Sequence, residues 1–440
     1  MSKKRLLIVF LVLTLSLIVA IPAIVKAIPP RYAARLPEPL RQLNTPKTEV
    51  AILPTVAAPV AAESLLGEVI QPTATLIAAP PTPTPIPVAN STATLVPTFT
   101  PQPSPVPTNT AVPLPAAARL DGFRHQFQTW NNCGPATMAM TLSYFGLNLD
   151  QKETAAFLKP NPEDRNVSPH EMAAYVNSQT PYAATFRVNG TKEIVKRFIA
   201  NGIPVILEIG IEPPGEYRWL GWYGHYLLVV AYDDAQQQFW VYDSWFGTSD
   251  VPMENATTEG RVLTYADVDT FWPHFNRNYI AVYRPEQADL VAEIIGENMD
   301  DDIMWQNALV RVQAETAASP NNAFNWFNLG TIYNALGRYE EAATAFDQAR
   351  AIGLPWRMLW YQFGPYEAYY QVGRYEDVIL LADVTLKDRP YFEESFYYKG
   401  LALAALGDME AARDNLQKAA EFNPNFTPAV VALETIAAND

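Results

Sequence analysis

The chain has a single cysteine, Cys133, set in Gln126-Phe127-Gln128-Thr129-Trp130-Asn131-Asn132-Cys133-Gly134-Pro135-Ala136. Pro135 suits the first turn of a helix, where its missing N–H costs nothing, and Ala136, Met140, Leu142, Tyr144 and Phe145 give that helix an apolar face until Gly146. Cys133 therefore stands at a helix N-terminus, where unpaired N–H groups and the helix dipole favour thiolate over thiol. An isolated cysteine is more often an inert buried apolar residue, but polar, glycine-bounded flanks point here to a reactive one. A thiolate nucleophile needs a base that takes its proton and later protonates a leaving amine, and four histidines are available. His225 is the best placed, at the start of the strand-like run Tyr226–Tyr232. That run turns near Asp234-Ala235-Gln236 and returns as Gln238–Tyr242, so antiparallel pairing puts Asp243 opposite roughly residue 227. From there Asp243 can orient the imidazole and stabilise its cation. Asp233 and Asp234, at the far end, read as turn residues. His125 is separated from Cys133 by loop with no fixed geometry, and His170, after Ser168-Pro169, helps to start a helix over Glu171–Asn177. His274, in Trp272-Pro273-His274, has no recognisable partner.

One cysteine excludes a disulfide framework and any multi-thiolate metal site, and no metal or organic cofactor is implied. A net charge of −15 argues against a nucleic-acid partner, whose phosphates require clustered Lys and Arg. At 440 residues the chain is too long for one compact domain. Lys3-Lys4-Arg5 precede an uncharged run, Leu6 to Val25, whose length of about 20 residues matches a bilayer core. Residues 1–28 are thus expected to be a membrane anchor, with a cleaved signal sequence as the competing reading. Residues 29–118 are expected to be a disordered Pro/Thr-rich stalk, because the stretch from about Thr45 to Pro115 lacks backbone donors at its many prolines and favours extended geometry that builds no core. The lack of any Asp, Glu, Lys or Arg between Val69 and Ala118 is common in exported spacers, which places the bulk of the chain outside the membrane.

Folded sequence begins near Leu120. Residues 119–285 alternate strand-like runs (Pro204–Ile209, Tyr226–Tyr232, Phe239–Tyr242) with helix-like ones (Ala136–Phe145, Thr191–Ala200), an α+β pattern. Residues 286–440 are helical throughout. Pro320, Pro355, Pro390 and Pro424 recur at intervals of 35, 35 and 34, a period that signals stacked repeats. Trp326 to Tyr333, then Gly337-Arg338-Tyr339-Glu340-Glu341-Ala342, Phe346, Ala349 and Pro355, resemble the tetratricopeptide repeat, and Gly400, Leu403, Gly407, Ala412, Leu416, Ala419 and Pro424 repeat the pattern. The middle copy, Tyr361 to Pro390, departs from it: Pro365 stands where the small glycine would be, Val378 replaces an alanine, and an extra residue is expected in the turn between its helices. Asp302–Ala318 reads as an incomplete leading repeat or a cap. The aromatic cluster Trp356, Trp360, Tyr361, Phe363, Tyr366, Tyr369 and Tyr370 reads as core between repeats rather than a ligand box. This region carries 24 acids against 10 bases, which makes either an acidic groove for a basic partner or a solvated outer face.

The order of an upstream glutamine, Cys133-Gly134-Pro135-Ala136 opening a helix, Gly202-Ile203-Pro204-Val205-Ile206-Leu207, Gly224-His225-Tyr226-Leu227-Leu228-Val229-Val230-Ala231-Tyr232-Asp233 and Val241-Tyr242-Asp243-Ser244 resembles the papain-like cysteine peptidases related to the bacteriocin-processing, double-glycine-leader peptidases. The resemblance covers about Leu120 to Arg284. It implies Cys133 as nucleophile, His225 as base, Asp243 as orienting residue and a glutamine in the oxyanion hole. Gln128 precedes the cysteine by five residues and Gln126 by seven, and Gln128 is preferred. Leader peptidases are normally fused to an exporter, which is not seen here, so double-glycine specificity is not carried over. The expected whole is a multidomain chain: transmembrane helix, stalk, α+β papain-like domain and all-α tetratricopeptide-like solenoid. Its expected work is extracytoplasmic amide hydrolysis of a peptide or protein substrate, with the repeats holding a protein partner and the membrane holding the N-terminal helix. The other reading is a non-catalytic scaffold whose repeats carry the function.

Overall fold

The computed structural model describes residues 20–25, 52–66, 114–129, 131–212, 221–249 and 253–438. The expected anchor lies outside the described residues except for residues 20–25, and among the described residues no helix is long and apolar enough to cross a membrane.

The first body is a seven-stranded antiparallel sheet between two helical layers. Its strands are β1 (Ala117–Arg119), β2 (Ala183–Arg187), β3 (Val205–Ile211), β4 (Tyr223–Asp233), β5 (Gln238–Asp243), β6 (Arg261–Thr264) and β7 (Tyr279–Tyr283), in the order β2-β7-β3-β4-β5-β6, with β1 paired to the far end of β4. Residues of β3 and β4 are apolar on both sides because both faces are covered. On one face Ile206, Leu228 and Val230 meet Met138, Met140 and Leu142 of α1 (Cys133–Ser143), Leu158 of α2 (Gln151–Leu158) and Met172 and Val176 of α3 (Pro169–Gln179). On the other Val205, Leu207, Leu227 and Val229 meet Val195, Phe198 and Ile199 of α4 (Lys192–Ala200), Val268 of α5 (Tyr265–Phe271) and Val291, Ile294 and Ile295 of α6 (Ala288–Ile295). The first body therefore runs on to Ile295: the helix that follows residue 285 belongs to its core, not to the repeats.

The solenoid is built from α7 (Asp301–Ala318), α8 (Ala323–Ala335), α9 (Tyr339–Ile352), α10 (Gly364–Gln371), α11 (Tyr375–Asp388), α12 (Glu393–Ala405), α13 (Met409–Phe422) and α14 (Thr427–Ala438). Each turn within a pair holds a glycine at positive φ, Gly337, Gly373 and Gly407, which a residue with a side chain adopts only under strain. These turns are equally long, so the extra residue expected in the middle copy is absent. The departure lies earlier. A short 3₁₀ turn, Met358–Trp360, leads into α10, which starts only at Gly364, and Pro365 sits in its first turn, where its missing N–H does no harm. Tyr366, not Pro365, therefore occupies the position of Gly330 and Gly400, seven residues before each turn glycine. Gly330 and Gly400 leave room for Phe346 and Leu416, since a Cβ on either would come within 2.7 Å of them. Sixteen residues after Tyr366 stands Ala382, so the large and small partners are exchanged and the pair still packs. Of the aromatic cluster, Trp360, Tyr366 and Tyr369 are buried core, as expected, whereas Trp356, Tyr361, Phe363 and Tyr370 are only half-buried.

The two bodies share one hydrophobic cluster, in which Val188, Trp222 and Phe275 of the first join Phe327, Met358 and Leu359 of the second. The first helices of successive repeats face the sheet domain. On α8, Asn328 Nδ2 donates to the Pro273 carbonyl and Phe324 stacks on His274 at 3.6 Å between centroids. Gln362 Nε2 donates to the His274 carbonyl at 3.1 Å. Glu393 and Glu394 of α12 lie near Asp164 and Glu171, and burial raises the pKa of all four carboxyls, Glu393 to about 7.

The expectation that the proline-rich stretch builds no core fails at Ile52–Leu66. Leu53, Ala62 and Leu65 are buried in the array's cluster, and Ala62–Leu66 forms a 3₁₀ helix. An extended, proline-rich backbone makes few hydrogen bonds of its own, and side-chain donors use the carbonyls it leaves open. Arg350 Nε donates to the Pro54 carbonyl at 3.0 Å, and Gln313 Nε2 and the Tyr333 hydroxyl donate to the Leu65 carbonyl at 2.9 and 3.0 Å. The rest of the expected stalk up to residue 113 lies outside the described residues.

Candidate active site

Cys133 is the first residue of α1, preceded at the N-cap position by Asn132, whose side chain makes no capping hydrogen bond, and is half-buried. The loop before it is held from outside. Asn131 adopts a left-handed backbone at φ 56°, a conformation asparagine tolerates better than most residues. Lys159 Nζ, itself buried, donates to the carbonyls of Asn131, Pro162 and Asp164 at 3.0–3.1 Å, and Arg165 Nη1 donates to Asn131 Oδ1 at 2.7 Å. Burial lowers the Lys159 pKa to about 8, against the opposing pull of Asp164 and Cys133. Gln151, also buried, accepts from the Thr129 N–H at 2.7 Å through Oε1 and donates to the Phe127 carbonyl at 2.8 Å through Nε2. Sequence reasoning missed Gln151, Lys159 and Arg165. Each acts across more than twenty residues, Gln151 and Lys159 on backbone groups and Arg165 on the Asn131 side chain, and no spacing rule encodes that. A Cβ at Gly134 would sit 3.3 Å from Val167, a tight contact to which the valine would have to yield by a few tenths of an ångström.

The hairpin register is as expected, with Leu227 opposite Asp243. It brings His225, 2 % exposed, against Asp243, which is fully buried: His225 Nε2 lies 2.9 Å from Asp243 Oδ1. The other ring nitrogen, Nδ1, is left for the thiol. Asp243 Oδ1 also accepts the N–H groups of Trp245 and Phe246 at 2.8 and 2.9 Å, and Oδ2 accepts from Arg261 Nε at 3.0 Å. Burial alone would raise the Asp243 pKa, but His225, Arg261 and these N–H donors hold it well below the usual carboxylate range. For His225 burial works downward, yet the Asp243 charge and hydrogen bond, with Cys133 adding to them, lift its pKa to about 9. Arg261 was not foreseen. It comes from the neighbouring strand β6 through a connection that gave no register signal.

The two glutamines separate cleanly. Gln126 is used at both ends, Nε2 donating to the Leu149 carbonyl at 2.7 Å and Oε1 accepting from the Gln151 N–H at 3.1 Å. Gln128 pairs its N–H with the Ser244 carbonyl at 2.7 Å, and its Oε1 accepts from Ser244 Oγ at 2.9 Å, which turns Nε2 away as a donor. Ser244 directly follows Asp243, so one strand end fixes both side chains.

The remaining histidines are elsewhere engaged. His125 Nε2 bonds the Asp243 backbone carbonyl at 2.8 Å, and His170 is exposed in the first turn of α3. His274 does have a partner, contrary to expectation: Trp222 Nε1 donates to its Nδ1 at 3.1 Å, and burial lowers its pKa to about 3, so it is a neutral acceptor at the junction of the two bodies. Among the described residues no group of His, Cys, Asp and Glu is arranged to hold a metal ion.

Residues 120–268 match the model of the Peptidase_C39 like family, and residues 325–349 and 393–426 match the tetratricopeptide repeat model. The repeat matches leave out the middle copy, where the small and large positions are exchanged. No curated protein matches the chain. Residues 120–268 form a Peptidase_C39-like domain, and tetratricopeptide repeats follow it.

Proposed function

We propose that this protein is a cysteine peptidase-like amide hydrolase in which Cys133, His225 and Asp243 form the catalytic triad. One observation carries the reading: a buried histidine bonded through Nε2 to a buried carboxylate, with its charge coupled to a cysteine at a helix N-terminus. Thiolate Cys133 attacks the amide carbonyl carbon, and the oxyanion is received by the Cys133 N–H and Gln128 Nε2. The C–N bond breaks as the His225 imidazolium protonates the leaving amine, which leaves a thioester on Cys133. Water, deprotonated by His225, then releases the acid and restores the thiol. A His225 pKa of about 9 keeps the imidazolium charged at neutral pH, so the alkaline limb of activity falls near pH 9.

The apolar run Leu6–Val25 and the uncharged proline-rich segment support attachment to a membrane with the catalytic body outside it, or secretion if the segment is cleaved. The repeats support a protein-binding role.

Alkylation of Cys133 by iodoacetamide and by a peptidyl vinyl sulfone, across pH and beside Cys133→Ala and His225→Ala, tests the chemistry. The expected result is a Cys133 rate well above that of glutathione that collapses in His225→Ala. A rate equal to that of a free thiol, indifferent to His225, refutes the reading.

A further inference from the structure

We propose that residues 52–66 act as a strap, an internal ligand that the helical array holds by contacts of its own, so that the N-terminal part of the chain stays fastened to the repeats when the connection between the strap and β1 is cut. The inference does not depend on the chemistry given to Cys133 above.

Chain order would place this segment with the first body, because β1 follows it. Yet among the described residues every hydrogen bond that leaves the segment goes to the array. At its start the Leu53 N–H donates to the Leu354 carbonyl at 3.0 Å and Ile52 pairs antiparallel with Pro355, just past the end of α9. Arg350 of α9 donates to the Pro54 carbonyl at 3.0 Å. At its end the 3₁₀ turn Ala62–Leu66 packs against α7 and α9, and the Leu65 carbonyl takes one donor from Gln313 of α7 and another from Tyr333 of α8. The strap therefore ties the leading helix α7, which has no partner helix of its own, to the first complete pair.

The contact is built as a peptide ligand is bound rather than as a core is shared. Only Leu53, Ala62 and Leu65 are inserted, at 1, 3 and 9 % exposed, whereas Thr55, Ala57, Val60 and Glu63 between them stay exposed. Polar recognition is of backbone carbonyls. Arg350 is 1 % exposed; its Nη1 donates to the Tyr369 hydroxyl at 3.1 Å and its Nη2 has no hydrogen-bond partner, so the Pro54 carbonyl supplies an acceptor that a buried guanidinium needs. Pro54 and Pro59 restrict the segment before it docks, which lowers the entropy lost on ordering it.

The strap divides the proline-rich stretch into two parts with different consequences. Residues 26–51 join the N-terminal segment to the strap, and residues 67–113 join two points that are both fixed, Leu66 on the array and Leu114 beside β1. The entropic cost of closing so long a connection rises only slowly with its length, so docking depends mainly on the contacts themselves. A cut within 26–51 detaches both bodies from the N-terminal segment, and a cut within 67–113 detaches neither.

The test uses the full chain in detergent with the recognition site of a sequence-specific protease inserted between Asn90 and Ser91, because Val69–Ala118 offers no Lys or Arg to trypsin. Sedimentation of the cut protein at about 50 μM is expected to show one species of the full mass, with a dissociation constant raised at least about tenfold by Leu53→Asp together with Leu65→Asp, the loss that follows from unseating two buried leucines. Both substitutions lie outside the repeats, and an excess of a synthetic peptide of residues 52–66 provides a second measurement on an unaltered array: it is expected to displace the N-terminal fragment. The same protease site placed between Gln42 and Leu43 is expected to separate the fragments completely. Separation of the wild-type fragments after the cut at Asn90 overturns the inference. So does association that is indifferent to both the leucine substitutions and the peptide, or that survives the cut at Gln42, since either would put the attachment somewhere other than the strap.

Discussion

Replacing Asp243 by Asn removes the carboxylate that holds His225 charged while keeping its size. In the native protein His225 titrates at about 9 although burial acts against its charge, because the Asp243 charge and hydrogen bond outweigh that burial. Without the carboxylate, desolvation dominates and the pKa falls below the ordinary value of 6.5. That displacement of about 2.5 in pH corresponds to ~3 kcal/mol, and the histidine is too buried for solvent to screen much of it. At pH 7.5 the imidazolium fraction drops from nearly all of the molecules to under about a tenth. An imidazole NMR titration, simplified by there being four histidines, is expected to show His225 titrating near pH 9 in the wild type and below 6.5 in Asp243→Asn. Alkylation of Cys133 at pH 6.5 is expected to slow at least tenfold, with most of the rate regained at pH 9.5. The same pair shapes stability. His225, with its pKa raised, contributes fully below pH 6.5 and loses that contribution as pH rises through 9, whereas Asp243, with its pKa depressed, contributes above the ordinary carboxylate range and loses it on acidification. An unaltered His225 titration in Asp243→Asn, or an alkylation loss that is uniform in pH, refutes the electrostatic account.

Glu208 on β3 is buried, accepts from Asn278 Nδ2 at 2.6 Å and has its pKa pushed up by burial to about 8. Because the unfolded chain ionises this group near 4.5, stability falls as pH rises from there through 8, and Glu208→Gln should be close to neutral at pH 5 but stabilising by about 4–5 kcal/mol at pH 9. Urea unfolding at both pH values checks this, and an equal difference at the two would contradict it. Gly224→Ala places a methyl 2.7 Å from Phe275 and 3.0 Å from Tyr361. It should destabilise the chain by ~1–3 kcal/mol and raise proteolytic cleavage between the two bodies, and unchanged thermal unfolding would show that the contact yields freely.

The local signals in the sequence carried well where one element fixes the chemistry. Pro135 and the apolar run after it set the helix start at Cys133, and the alternation around residue 235 set the register that joins His225 to Asp243. What escaped was the set of groups that meet through the tertiary fold. Arg261 reaches Asp243 from the strand beyond it, Gln151 and Lys159 hold the cysteine loop through backbone carbonyls, and His274 is an acceptor for a tryptophan fifty-two residues away. The docked segment Ile52–Leu66 escaped for a related reason. Proline content predicts that a segment makes no hydrogen bonds with itself, but says nothing about donors on Arg350, Gln313 and Tyr333 that can use its carbonyls.

The irregular middle repeat is best understood from the surface it meets. In a regular array the first helix of each pair has about the same length, and small residues let its partner approach. Here α10 is eight residues long where α8 and α12 have thirteen, and the chain it gives up becomes the Trp356–Phe363 passage that packs on Trp222, Gly224 and Phe275. A full helix at this position would place a cylinder of about 10 Å diameter against the start of β4. A passage of turns around the 3₁₀ segment Met358–Trp360 presents individual rings, and Gly224 is hollow enough to receive one. The exchange of Tyr366 with Ala382 keeps the pair packed after the shortening, its hydroxyl reaching Thr385 and Ser395 on the following helices. The departure from the repeat and the contact with the histidine strand therefore have one cause, the fitting of the solenoid to the peptidase-like domain.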